Sequence, residues 1–342
     1  MKKRTAAVMA DYNGISPKFS GEGISIGEGA AILGRAEIGS NASLGTLAVI
    51  RADGHKVNIG DNVFIGNCST VHIAHELIPA IVGNNVTIGS SAVIHACTVG
   101  DGCVVDCGAV ILDGSGIGPG AVIGANSTVF PRSRLEGGWL YEGNPARPVS
   151  KISSEYLKTL HGRIRREKAL PSPDIISGCQ VPADSFVAPT ASLKGDIQIG
   201  GKAGIFYSCM LDAGKYAIKI GDGTNVQDNS LLACKAGNII IEDNVTVGHN
   251  VIMDDCHIES GCLVGIGSRV ASGTIIEGDV LLAAGSETME GQRLSAEQVW
   301  AGRPARPIAK LDDGKFKMMS DNIATYIEYA EQLREAPHTP FQ

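Results

Sequence analysis

Aliphatic residues recur at every sixth position along most of this chain, and that spacing leaves few folds open. In the first half the series runs Ile26, Ile32, Ile38, Leu44 and Ile50, then Ile59, Ile65 and Val71. After a predicted loop at Ala74–Ala80 it resumes at Val82, Ile88 and Ile94, and continues through Val99, Val105, Ile111, Ile117, Ile123 and Val129. The series is expected to stop at Pro131. Neither an α-helix nor an alternating strand sustains a period of six. A parallel β-helix does: six residues make one flat side, three sides make one coil, and each aliphatic residue points into a triangular core. Abundant glycine and only 5% aromatic residues suit tight turns around small aliphatic layers.

The pattern then starts again. Val187, Leu193, Ile199, Ile205 and Leu211 are followed by Ile220, Val226 and Leu232, by Ile241, Val247 and Met253, and by Ile258 through Leu282. Val82–Val105 has a second copy 159 residues on, at Ile241–Val264, with NNVTIG against DNVTVG and GDGCVV against ESGCLV. Two similar caps follow, GNPARP at Gly143–Pro148 and AGRPARP at Ala301–Pro307. Each precedes a predicted amphipathic helix. The first is Ser153–Ala169, burying Ile152, Tyr156, Leu160 and Ile164; the second is Phe316–Leu333, burying Phe316, Met319, Ile323, Ile327 and Ala330. The expectation is an all-β tandem duplication with helical caps: a first β-helix over 1–150, a helical linker over 151–173, a second β-helix over 174–310 and a C-terminal helix over 311–342.

Composition narrows the partners. The net charge is −7, and no run of Lys and Arg resembles a nucleic-acid surface; the short cluster HGRIRR (His161–Arg166) reads as a solvated helix face. Nine scattered cysteines without a CxxC pair favour a reducing cytoplasm, with Cys68, Cys97, Cys107 and Cys256 as core filling. No segment has the length and hydropathy of a signal peptide or a membrane span, so a cytoplasmic protein with neither nucleic acid nor membrane as partner is expected.

The phase of the repeat places the polar residues. Arg51, His72 and His95 each directly follow an inward aliphatic residue and fall on one edge in consecutive coils. With strands about 4.8 Å apart, His72 and His95 lie close enough to share a metal ion. The matching edge of the second half carries Asp212, Ala233 and Asp254 instead. A different edge of that half carries Gln227, Asp228 and His249, where the first half has Gly66, Asn67 and Ser90. Two half-sites are intact, and their complements are degraded.

These residues resemble the γ-class carbonic anhydrase family of left-handed hexapeptide-repeat proteins, through IRAD (Ile50–Asp53), IHACTVGDGC (Ile94–Cys103), IGDGTNVQD (Ile220–Asp228) and NVTVGH (Asn244–His249). The resemblance implies two tandem left-handed β-helices and a divalent metal, zinc first with iron or cobalt as alternatives. It maps the ligands onto His72 and His95 of one prism and His249 of its neighbour. It also maps an interface ion pair onto Arg51 and Asp228, and a water-orienting role onto Gln227. The implied activity is attack by metal-bound hydroxide on CO₂ or on a carbonyl or thioester substrate, in a homo-oligomer with domain 1 packed against domain 2. His75 is a further candidate for the substrate pocket. Two other readings compete. The caps also occur in CoA-dependent hexapeptide acyltransferases, where a histidine acts as a base without metal. The third is a non-catalytic assembly scaffold.

Overall fold

The computed structural model describes residues 6–75, 77–171 and 179–341. They form two left-handed parallel β-solenoids, one from 6–171 together with 336–341 and one from 179–335. In the first, three columns of aliphatic side chains stack in parallel register. One runs Ile32, Ile50, Val71, Ile94, Ile111 and Val129. A second runs Ile38, Ile59, Val82, Val99, Ile117 and Leu135. The third runs from Ile26 through Leu44, Ile65, Ile88, Val105 and Ile123 to Tyr141. Together they make one continuous buried core. The second solenoid repeats the design, for example through Ile205, Val226, Val247, Val264 and Leu282.

The first solenoid does not end at Pro131. Arg134–Leu135 and Trp139–Gly143 each add a further side. Leu135 and Tyr141 keep the six-residue spacing, but the polar residues between them mask it in the sequence. The cap is an antiparallel hairpin of Trp139–Gly143 against Ala146–Lys151, and Gln298–Gly302 with Ala305–Lys310 repeats it in the second half.

Departures from six-residue spacing fall at one corner. Between the first and second columns the step widens to nine residues from Ile50 to Ile59 and to eleven from Val71 to Val82, and tightens to five from Ile94 to Val99. The second solenoid widens at the same corner, from Leu211 to Ile220 and from Leu232 to Ile241. Elsewhere the coils sit so close that some positions admit no side chain. A Cβ on Gly66 would lie 2.5 Å from the backbone nitrogen of Ser90 in the next coil. Gly66→Ala is therefore expected to cost about 2 kcal/mol and to lower the unfolding midpoint by about 4–8 °C in a calorimetric scan.

Helix α1 spans Ser154–Ile164, with Ser153 as its N-cap accepting from the Tyr156 amide. It is shorter than the sequence suggests. At its end Arg165 turns onto the solenoid, donating to Thr87 Oγ1 at 2.7 Å and to the Asn62 carbonyl at 2.8 Å. The buried face is Leu160 and Ile164, with Leu157 beside them against Val104 and Val122, while Tyr156 is exposed. The HGRIRR cluster is exposed at Arg163, Arg165 and Arg166, as a solvated face requires, and it also contacts the solenoid: His161 Nδ1 lies 2.7 Å from Thr87 Oγ1, and Arg163 pairs with Asp106 at 2.6 Å.

Helix α2 spans Asp313–Glu335 and packs on the second solenoid. Its buried face is Met319, Tyr326, Tyr329, Ala330 and Leu333, displaced from the expected stripe toward the two tyrosines. Beyond it, His338–Pro340 pairs antiparallel with Val8–Ala10, which lies parallel to Ala31–Leu33 in the first solenoid. Cys97 and Cys256 are buried as expected, whereas Cys68 is only half-buried and Cys107 is exposed, both at turn positions outside the core columns. No helix among the described residues is long and apolar enough to cross a membrane.

Candidate metal centre

In the first solenoid Arg51 stands beside His72, and His72 beside His95, in parallel register. Period alone sets that column, because each residue follows an inward aliphatic one. The ring contacts go further than the spacing. His72 Nε2 lies 2.8 Å from Asp53 Oδ1, and its Nδ1 faces His95 Nε2 at 3.3 Å. The other nitrogen of His95, Nδ1, is 2.5 Å from Asp113 Oδ1. Asp53 is fully buried and also accepts from Nε of Arg51 at 2.9 Å while pairing with its Nη2.

The two carboxylates favour particular ring nitrogens as proton carriers. Burial alone would raise the Asp53 carboxyl, but Arg51 and then His72 more than offset it and hold it well below the usual carboxylate range. Asp113 is lowered in the same way: burial opposes, and His95 prevails. Burial pushes the His72 imidazole down, toward its neutral form, against the pull of Asp53. An ionised carboxylate only accepts hydrogen bonds, so His72 must donate from Nε2 and His95 from Nδ1. In neutral rings the two facing nitrogens, His72 Nδ1 and His95 Nε2, are then both lone pairs. At 3.3 Å the two nitrogens can share a cation, a proton or a metal ion.

The donor set fits a divalent ion. Two ligand nitrogens on a tetrahedral zinc with bonds of 2.0–2.1 Å stand about 3.3–3.4 Å apart. A carboxylate behind each histidine is the arrangement that fixes the tautomer and raises ligand basicity at metal sites. Asp53 and Asp113 were not singled out as site residues from the sequence. Asp53 carried a signal, since it lies two residues from Arg51 on one strand and so on the same face. Asp113 carried none, being in the next coil. His75 is exposed in its loop.

The second solenoid holds the other edge. Gln227 and Asp228 lie beside Gly248 and His249, as the pairing of Val226 with Val247 requires. Asp228 Oδ1 accepts from the Tyr207 amide at 2.9 Å, and its Oδ2 lies 3.1 Å from His249 Nδ1. The hydroxyl of Tyr326, from α2, is 3.3 Å from His249 Nε2. Gln227 is buried and donates from Nε2 to Asn225 Oδ1 at 3.1 Å, which fixes the plane of its amide. The edge equivalent to the histidine pair has turned into surface ion pairs, Lys194 with Asp212 and Lys235 with Asp254.

The degraded edge of the first solenoid is remodelled rather than merely eroded. Asn67 Oδ1 accepts from the Thr46 amide at 2.8 Å, as Asp228 does from Tyr207. Asn67 Nδ2, however, donates to the Lys168 carbonyl at 2.9 Å. An aspartate there would set a carboxylate against that carbonyl.

Stacked six-residue sides bearing a carboxylate-backed histidine pair define a hexapeptide-repeat protein with the donor set of a divalent metal site. Residues 79–113 match the family model described as the hexapeptide repeat of succinyl-transferase. The chain is 38% identical over 158 residues to gamma carbonic anhydrase 2, mitochondrial, of Arabidopsis thaliana, covering 44% of this chain and 57% of that one. It is 31% identical over 156 residues to a carbonic anhydrase of Geobacillus kaustophilus, covering 45% of this chain and 86% of the relative. The chain thus belongs to the γ-carbonic-anhydrase-like family of hexapeptide-repeat proteins, as a tandem duplication. It spans about three fifths of the length of the Arabidopsis relatives. A solved structure from Desulfovibrio desulfuricans G20, assigned as an acetyltransferase, matches 99% of this chain and 87% of its own at a TM-score of 0.59 and 14% identity, a likeness of fold.

Proposed function

We propose that the chain binds a divalent metal ion, zinc first and iron or cobalt next, through His72, His95 and His249, and that it acts on CO₂ or on a carbonyl or thioester substrate. The observation that carries this reading is the pair of facing nitrogens, His72 Nδ1 and His95 Nε2, 3.3 Å apart, each ring held from behind by an aspartate. His249 is added because it has the same dress, a carboxylate 3.1 Å from one ring nitrogen, and because it survives where the first solenoid has Ser90. The family membership supplies the reaction class. When bound, the metal would supply Lewis acidity toward a carbonyl oxygen of the substrate or toward a water.

The chain's own residues have separate tasks in this reading. Asp53 and Asp113 hold the two rings in the ligating tautomer. Gln227, its amide plane fixed by Asn225, orients a water or substrate oxygen. In this reading Arg51 and Asp228 form an ion pair between neighbouring solenoids, as the resemblance implies, and Asp53 holds Arg51 at Nε and Nη2. His75 belongs to the wall of the substrate pocket.

Metal analysis of protein purified without chelator tests the reading. About one ion per chain is expected, with zinc affinity reduced about a hundredfold in His249→Ala, since each of several ligands carries a few kcal/mol of the total. A chain that takes up neither zinc nor iron on reconstitution would sink it. Mixing the His249→Ala and His95→Ala chains then locates the third ligand: metal uptake restored on mixing means that neighbouring chains share the site.

A further inference from the structure

The half-site that kept His249 also carries aromatic residues that its counterpart lacks. Phe206 and Tyr207 stand where the first solenoid has Gly45 and Thr46, one coil below Gln227 and Asp228. Helix α2 is 23 residues long against 11 for α1, and Tyr326 and Tyr329 lie on the added turns. Counting from the two caps at the 159-residue offset, Tyr326 corresponds to Glu167, which lies beyond the end of α1. The tyrosine, its helical support and the histidine therefore occur together in one copy and are absent together from the other.

The contacts make a device of them. The Tyr326 ring packs edge-on against Phe206, with centroids 5.2 Å apart, and against Tyr329 at 5.5 Å. Asn322, one turn earlier on α2, accepts at 3.1 Å from Thr246, three residues before His249. Thus the Asn322 bond and the Phe206 packing hold the helix where the Tyr326 hydroxyl meets His249 Nε2, at 3.3 Å. Asp228 Oδ2 lies 3.1 Å from the opposite nitrogen, Nδ1, off hydrogen-bond geometry, yet its negative charge still favours the ring proton on that side. Nε2 is left as the lone pair, which is the atom a metal would use. The phenol, a donor, sits on it.

We infer that Tyr326 is a positioning residue that holds the ligating nitrogen of His249 in the metal-free chain and must release it when metal enters. The latch rests on the metal reading above. It keeps the ring aimed and its lone pair satisfied in a dry environment, and it sets a threshold, because the ion must displace a hydrogen bond before it gains its third ligand. Removing the hydroxyl while keeping the ring raises the free energy of the metal-free state alone.

The test is zinc affinity of the full chain, stripped with chelator and titrated against a chromophoric zinc chelator, for wild type and Tyr326→Phe. Phenylalanine keeps the packing on Phe206 and Tyr329, so the thermal midpoint serves as the structural control. The expected result is zinc binding about fivefold tighter in Tyr326→Phe, the worth of one neutral hydrogen bond lost from the metal-free state. In the metal-free protein, the ¹⁵N resonance of His249 Nε2 is also expected to move with the substitution, and the zinc-loaded spectra of the two proteins to agree at that atom. Zinc binding that is unchanged or weaker in a folded Tyr326→Phe chain overturns the latch and leaves the metal site standing. A wild-type chain that takes up no zinc overturns the metal site, and the latch with it.

Discussion

His95→Ala is expected to strip the chain of metal. A full set of protein ligands binds zinc with about 10–16 kcal/mol, so one of three histidines is worth roughly 3–5 kcal/mol, a loss of about a hundredfold to a few thousandfold. Losing His95 also leaves His72 Nδ1 facing no second donor, so the pair that makes the site bidentate is gone. Asp113→Asn separates ligation from support. The histidine stays, but the group behind Nδ1 is no longer a carboxylate that must accept its proton, and affinity should fall only about 10–100-fold. Competition titrations with zinc should rank wild type above Asp113→Asn and Asp113→Asn above His95→Ala. Equal affinity in all three would show that the metal, if bound, is held elsewhere.

Asp53→Asn is expected to be the most damaging substitution for stability. Asp53 and Arg51 are both fully buried, and Asp53 also accepts from His72. Asparagine keeps the shape but takes away the buried guanidinium's nearby counter-charge, a change that costs about 3 kcal/mol or more where ion pairs are buried. The pH dependence gives the sign. The folded carboxyl is depressed below its unfolded value, so its contribution is present above about pH 4 and is lost as pH falls below that value. Urea unfolding should therefore show a gap between wild type and Asp53→Asn that is full near pH 7 and narrows under acid. A gap that widens on acidification would contradict the assignment of Asp53 as the buried anion.

The parts of the fold that were legible in the sequence were those written in its period. Ile65, Ile88 and Val105 each occupy the same place in a coil, so their spacing gives both the core and the stacking of Arg51, His72 and His95. What escaped lies between coils or off the period. Leu135 and Tyr141 keep the spacing, but the turn at Pro131 and the polar residues between them mask it. The carboxylate behind His95 comes from the next coil, through a residue that is not itself in an inward column. Tyr326 reaches His249 from a helix whose register on the solenoid cannot be read from either sequence alone. Helical periodicity identified the helix but placed its buried stripe on Ile323 and Ile327, because it weighs hydropathy and the helix chose its tyrosines.

The single corner at which the coils change length has a consequence for how the histidine-bearing edge can evolve. A stacked coil behaves like a reading frame: one residue gained or lost in a side would turn every later inward residue outward. Only the corner that follows Arg51 and His72 is free of that rule, with steps of nine and eleven residues where the others keep to six. Loop growth there leaves the columns in phase, and it occurs beside the very edge that presents the histidines. The segments beside that edge can thus be rewritten, while the spacing between His72 and His95 stays locked by the core beneath them.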